Sequence, residues 1–136
     1  MSKPSCCVFP TNTGLLDGGF IVVTHLGRAA ACVAIAQRSP TTAEIKRLYV
    51  RSEFRSQGLG RELIQLAIAS ASQAGYQRVF LESHISMRAA HRLYVAQGFR
   101  IVEAPEEYPP HLRAAVVCME RTLVPLFNRV QTNRDP

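Results

Sequence analysis

Apolar and polar positions follow a strand-like period from residue 20 and switch to a helical period near residue 58. Residues 20–24 and 30–37, separated by Leu26-Gly27-Arg28, predict a hairpin, and a turn at residues 39–42 leads into a third strand over residues 43–50. After a polar loop, residues 51–57, the apolar side chains Leu59, Leu63, Leu66, Ala67 and Ala71 recur at helical spacing. One helix is therefore predicted over residues 58–74, ended by Gly75. A short strand over residues 78–83 precedes a second helix, with Ser86 as its expected N-cap and Gly98 just past its end. Strands over residues 99–103 and 114–121, separated by a proline-rich stretch, complete the pattern. Residues 1–18, rich in Pro, Thr, Asn and Gly, read as a loosely ordered lead-in. Residues 19–124 read as a single domain and residues 125–136 as a C-terminal tail. Hairpins around a strand-helix-strand-helix segment predict an α/β fold with a mixed, mostly antiparallel sheet and helices on its faces.

Composition narrows the classes. The 136 residues are 47% hydrophobic and 19% charged, as expected of one packed domain rather than a disordered chain. The longest apolar run, residues 29–36, is too short to cross a bilayer, and prolines interrupt the N-terminal segment where a signal peptide would need an apolar core. A cytoplasmic location is expected, with Cys6, Cys7, Cys32 and Cys118 reduced and in no zinc-like spacing. No histidine-carboxylate constellation suggests a metal. The net charge of +6 comes almost wholly from arginine, whose planar fork suits phosphate oxygens. Arg47, Arg51, Arg55 and Arg61 gather around one glycine-rich segment and no aromatic-interleaved platform for bases is visible, so a phosphorylated small ligand fits better than nucleic acid.

That segment, Arg55-Ser56-Gln57-Gly58-Leu59-Gly60, carries the strongest chemical signal. A helix start leaves backbone N–H groups without intrahelical acceptors and adds the positive end of the helix dipole, which together make an anion site. Glycine at 58 and 60 lets a phosphate approach the backbone closely. A nucleotide P-loop is excluded because no Gly-x-x-x-x-Gly-Lys run occurs. A dinucleotide fingerprint fits poorly: Leu63 stands where a third glycine belongs, and a long loop replaces the tight turn, although Glu82 lies at about the distance of a ribose-binding acid.

Arg55-x-x-Gly58-x-Gly60 after a strand, followed by Ala89-Ala90-His91-Arg92-Leu93-Tyr94 and Gly98-Phe99, resembles the GNAT superfamily of N-acetyltransferases over roughly residues 19–121. The resemblance implies a twisted sheet that splays open in a V, with acetyl-CoA in the opening. It assigns the pantetheine arm to the backbone of Leu48, Tyr49 and Val50. The pyrophosphate falls to Gln57, Gly58, Leu59, Gly60 and Arg61 as backbone donors, with side-chain contacts from Arg55 and Ser56. Ala90 belongs to the second motif, and Tyr94 is placed near the sulfur as the acid that protonates the departing thiolate. Met87 stands where many members carry an asparagine, so its cofactor contact is apolar at best.

The chemistry itself asks for further groups. An alkyl amine with a pKa of about 10.4 is mostly protonated at neutral pH, so attack on a thioester needs a base. The tetrahedral oxyanion needs a donor and the thiolate an acid. Glu44 and Glu82, on the two strands that flank the opening, are both candidates for the base, and either could instead be a solvated strand residue. His84 and His111 are weaker candidates near the acceptor, and His91 is expected at the surface. The acceptor is a small-molecule or peptide amine, and the acidic stretch from Glu103 to Glu107 suggests a cationic one. Relatives of this kind usually begin with a strand and two helices over the acceptor side, for which residues 1–18 are too few, so an open groove or a homodimer is expected. The alternative is a non-catalytic module of the same fold that binds coenzyme A or nucleic acid.

Overall fold

The computed structural model describes the backbone of residues 5–10 and the whole of residues 19–123, with the backbone of Gly18. One seven-stranded sheet runs through them in the order β1-β2-β3-β4-β5-β7-β6. Its strands are β1 (Ser5–Pro10), β2 (Gly18–His25), β3 (Arg28–Ser39), β4 (Thr42–Val50), β5 (Arg78–His84), β6 (Arg100–Val102) and β7 (Val116–Thr122). All neighbours pair antiparallel except β4 and β5, which are parallel. The fold class expected from the pattern is the one observed.

Three helices complete the described chain: α1 (Leu59–Gln73), α2 (Arg88–Ala96) and α3 (Pro110–Ala115). A parallel pair cannot be joined by a tight turn, and α1 is the crossover from β4 to β5. It buries Leu59, Leu63, Ile64, Ala67, Ile68 and Ala71 against Ile21, Val33, Ile45, Val79, Leu81 and Met119 of the sheet. Tyr94 of α2 and Phe99 join the same cluster, so both long helices cover one face. On the other face lie Glu44, in register with Phe80, and Glu82, in register with Cys118. The loop before α3 reaches that second face, where the Tyr108 hydroxyl donates to a Glu82 carboxylate oxygen.

Several local expectations are corrected. Residues 5–10, within the lead-in expected to be loosely ordered, form edge strand β1 on β2. The buried stripe of α1 rotates past Leu66, which is exposed, to take in Ile64 and Ile68, because two isoleucines bury more apolar surface than one leucine. Ser86 does not cap α2. Met87 occupies the N-cap position, and the Ser86 hydroxyl lies 2.7 Å from Nδ1 of His84 instead. Part of the proline-rich stretch is helical, with Pro110 at the first turn of α3, where its missing N–H costs nothing. The tail over residues 125–136 lies outside the described residues.

The register between β4 and β5 opens the cleft. Their pairing starts at Thr42 with Arg78 and ends at Ile45 with Leu81. Beyond that point β4 stays bonded to β3 as far as Val50, and β5 stays bonded to β7 as far as His84. Each strand follows its outer neighbour and lets go of the inner one. The inner edges of residues 46–50 and 82–84 thus present backbone N–H and C=O groups without a ladder partner, which a ligand can satisfy.

Candidate active site

Two cavities meet in this opening. The first, about 560 Å³, lies between the end of β4, the start of α1 and the start of α2. Leu48, Tyr49, Val50, Arg55, Ser56, Gly58, Leu59, Gly60, Met87, Ala90 and Tyr94 line it. The second, about 690 Å³, lies toward the second face and is lined by Glu44, Lys46, Arg47, Glu82, His84 and Tyr108, among others. Leu48, Met87 and Tyr94 belong to both linings.

Helix starts shape the first cavity. Glu62 is the first residue of α1 whose N–H bonds back, to the Gly58 carbonyl at 3.1 Å. The N–H groups of Leu59, Gly60 and Arg61 therefore lack intrahelical acceptors, and no side chain caps them. In α2 the first such bond runs from His91 to Met87, which leaves Ala89 and Ala90 in the same condition, again without a side-chain cap. Two uncapped N-termini, each the positive end of its helix, thus open on one cavity. Gly58 has φ of 80°, in the left-handed region that favours glycine. A Cβ at Gly60 would sit 3.4 Å from Cδ2 of Leu93, at the edge of ordinary contact.

The four arginines expected around this segment are separated. Arg55 lines the first cavity with its Nε donating to the Val50 carbonyl at 3.1 Å. Arg51 is turned away, 3.2 Å from Glu53. Arg47 lines the second cavity, and the exposed Arg61 and Gln57 side chains line neither.

Tyr94 is 7% exposed, its ring 6.0 Å from that of Phe99 between centroids. No hydrogen bond from its hydroxyl is formed among the described residues, and burial pushes its pKa up from the usual value near 10. It therefore keeps its proton at neutral pH and has no competing acceptor for it. The two carboxylates differ in their surroundings. Glu44 forms an ion pair with Arg38 at 3.3 Å, and the Arg38 guanidinium stacks 3.9 Å above the ring of Phe80. Glu82 lies one residue past the last β4–β5 pair, directly at the opening, and is held by Tyr108. That bond to the carboxylate, with burial adding to it, pushes the Tyr108 pKa up to about 12. Tyr108 is thus firmly a donor. Cys118, in register with Glu82, has its thiol pushed up by burial and then by the nearby carboxylate.

His84 lines the second cavity, whereas His111 lines neither and His91, expected at the surface, is half-buried with Nε2 3.1 Å from the Ser83 hydroxyl. Of the acidic stretch and its neighbours, Tyr108 reaches the second cavity and Glu103, Glu106 and Glu107 do not. Arg38 and Lys46 are lining residues that sequence reasoning missed, whereas Tyr108 belongs to the loop expected beside the acceptor. Arg38 carried a usable signal, since a turn at Pro40-Thr41 pairs Ser39 with Thr42 and brings residue 38 close to residue 44. The pairing of Tyr108 with Glu82 spans 26 positions and left no local trace. Among the described residues no group of side chains could hold a metal ion, and no helix is long and apolar enough to cross a membrane.

The model of the acetyltransferase (GNAT) family matches residues 6–99. The chain belongs to this family. All of β1 except Ser5 lies within the match, which extends further toward the N-terminus than the motif resemblance did. Among curated relatives, N-acetylaspartate synthetase of Danio rerio is 34% identical over 90 residues, covering 65% of this chain and 32% of that protein. An uncharacterized N-acetyltransferase of Chlorobaculum tepidum is 40% identical over 62 residues, covering 46% of this chain and 40% of that protein. The chain thus spans well under half the length of these two relatives. Among solved structures, a GNAT family acetyltransferase from Elizabethkingia anophelis with acetyl-CoA bound has a TM-score of 0.72 at 18% identity. The alignment covers 90% of this chain and 100% of that one, and it bears on the fold alone.

Proposed function

We propose that this GNAT chain transfers the acetyl group of acetyl-CoA to a primary amine by direct attack. The observation that carries the reading is the meeting of two cavities at Leu48, Met87 and Tyr94. One has the uncapped helix starts that suit a pyrophosphate, and the other has carboxylates that suit an amine. The acetyl-CoA bound by the Elizabethkingia neighbour supports acetyl-CoA as the co-substrate, and the uncapped helix starts favour the first cavity as its place. In it the backbone of Leu48, Tyr49 and Val50 meets the pantetheine arm. Gln57, Gly58, Leu59, Gly60 and Arg61 offer N–H groups to the pyrophosphate, Arg55 and Ser56 add side-chain contacts, and Met87 and Ala90 form the wall at α2.

The amine nitrogen attacks the thioester carbonyl, a C–N bond forms and the C–S bond breaks. Glu82 takes the amine proton, directly or through water, and Tyr94 gives its proton to the departing thiolate. The products are an amide and free coenzyme A. Each carboxylate has one oxygen engaged, Glu82 by Tyr108 and Glu44 by Arg38, and Glu82 is favoured because it stands at the opening while Glu44 lies inside the paired segment.

Mixing the protein with acetyl-CoA and a panel of amines and following free thiol tests the activity; no thiol above background with any amine would leave a coenzyme A-binding module. Glu82→Gln is expected to lower kcat/KM by about 10²-fold or more, the usual contribution of a positioned base. Glu44→Gln is expected to cost under about tenfold. The reverse order would transfer the base to Glu44. A cytoplasmic setting and a homodimer belong to the same proposal. The free thiols of Cys32 and Cys118 support the setting, and the exposed ring of Phe20 on β2 supports the dimer. A purely monomeric mass by light scattering at micromolar concentration would remove the dimer.

A further inference from the structure

The irregularity in β4 places two consecutive cations on one cavity. In a regular strand neighbouring side chains point to opposite faces. Here Ala34 pairs with Lys46 and Cys32 with Tyr49, so Arg47 and Leu48 together oppose Val33, and Arg47 takes a φ of 55°. This is a β-bulge, a device that re-aims side chains beside functional sites. Lys46 and Arg47 consequently both line the second cavity.

The charges in that cavity are unequally satisfied. Glu44 has Arg38 and Glu82 has Tyr108. Lys46 and Arg47 are exposed and make no ion pair or side-chain hydrogen bond among the described residues. The lining counts three formal cations, Arg38, Lys46 and Arg47, against the two carboxylates Glu44 and Glu82, an excess of one positive charge. His84 adds a donor. The Ser86 N–H lies 3.2 Å from His84 Nδ1, an orientation that makes Nδ1 the acceptor and puts the neutral ring's proton on Nε2. An acceptor bearing only ammonium groups would add positive charge to a wall already in excess, whereas one that also bears an anion would balance it.

We infer that the acceptor is an amine carrying a compact oxyanion, a carboxylate or a phosphonate, a few bonds from its nitrogen. The nitrogen lies on the Glu82 side of the opening and the oxyanion on Lys46 and Arg47. This inference rests on the acetyltransferase reading and replaces the cationic acceptor suggested by the acidic stretch, whose glutamates do not reach the cavity.

The test compares aspartate and 2-aminoethylphosphonate with n-propylamine and spermidine, by kcat/KM for thiol release and by calorimetric binding in the presence of coenzyme A. At least one anionic amine is expected to exceed both others by about tenfold or more, the effect of about 1.4 kcal/mol. Lys46→Gln with Arg47→Gln should abolish that advantage, and Lys46→Arg should keep it. Lys46→Gln alone should lower it, and this variant leaves the bulge residue intact. A preference for n-propylamine or spermidine, or an advantage that survives the double substitution in folded protein, would overturn the inference. Binding of the anionic amines with no turnover of any of the four would overturn the acetyl-transfer reading, and the acceptor assignment with it, while leaving an oxyanion site on Lys46 and Arg47; turnover of n-propylamine and spermidine alone would overturn this inference and leave acetyl transfer standing.

Discussion

Tyr94→Phe is expected to lower kcat by about 10²- to 10³-fold while the Kd for acetyl-CoA changes less than about threefold. The ring packs against Phe99 within the core cluster and survives the substitution, so what disappears is one hydroxyl at the junction of the two cavities. Burial raises the Tyr94 pKa, and the sign of that shift sets the pH behaviour. The protonated form that can serve as acid is present below the raised value and is lost only as pH climbs through it. In the parent protein any alkaline fall in kcat from this group should therefore lie above pH of about 10. In the phenylalanine variant that limb should be absent. A parent and a variant with equal kcat would remove Tyr94 from its role, and a large loss of acetyl-CoA affinity would make it a binding group instead.

Gly58→Val is expected to raise the Kd for acetyl-CoA by more than about tenfold and to cost stability as well. The φ of 80° at the N-cap of α1 is one that a β-branched residue adopts only with strain, of about 1–2 kcal/mol or more. No atom lies within 4 Å of the added Cβ position, so a clash within the protein contributes little. The loss of affinity comes from the cavity side, where Gly58 lines the approach to the free N–H groups of Leu59 and Gly60. Calorimetric titration with coenzyme A, together with thermal unfolding, separates the two effects. Unchanged affinity in the folded variant would move the pyrophosphate away from this loop.

The order and type of the central elements were legible because their signals are local. The period of two in β3 and β4, the period of 3.6 in α1 and the glycines at 58, 75 and 98 each report a backbone preference within a few residues. Strand β1 was not legible, because Pro4, Pro10 and Asn12 mask a short edge strand whose support comes from pairing with β2. Ser86 misled for a related reason. Its hydroxyl had a choice between the α2 N–H groups and the His84 ring, and the tertiary position of His84 decided it. The sequence also suggested one cluster of four arginines, whereas the bulge in β4 and the ion pair to Glu53 disperse them.

Sequence alone therefore determined that a glycine-flanked helix start follows a strand, that a second motif with Tyr94 follows at a fixed separation, and that the two belong to one domain type. These depend on residue order, and residue order is all that a motif records. Only the tertiary structure decided which groups face each other across the opening: Glu82 with Tyr108, Glu44 with Arg38, and Lys46 beside Arg47 on one wall. Those relations follow from where β4 and β5 stop pairing and where β4 gains its extra residue. Register is a property of strands together, and no single stretch of chain carries it.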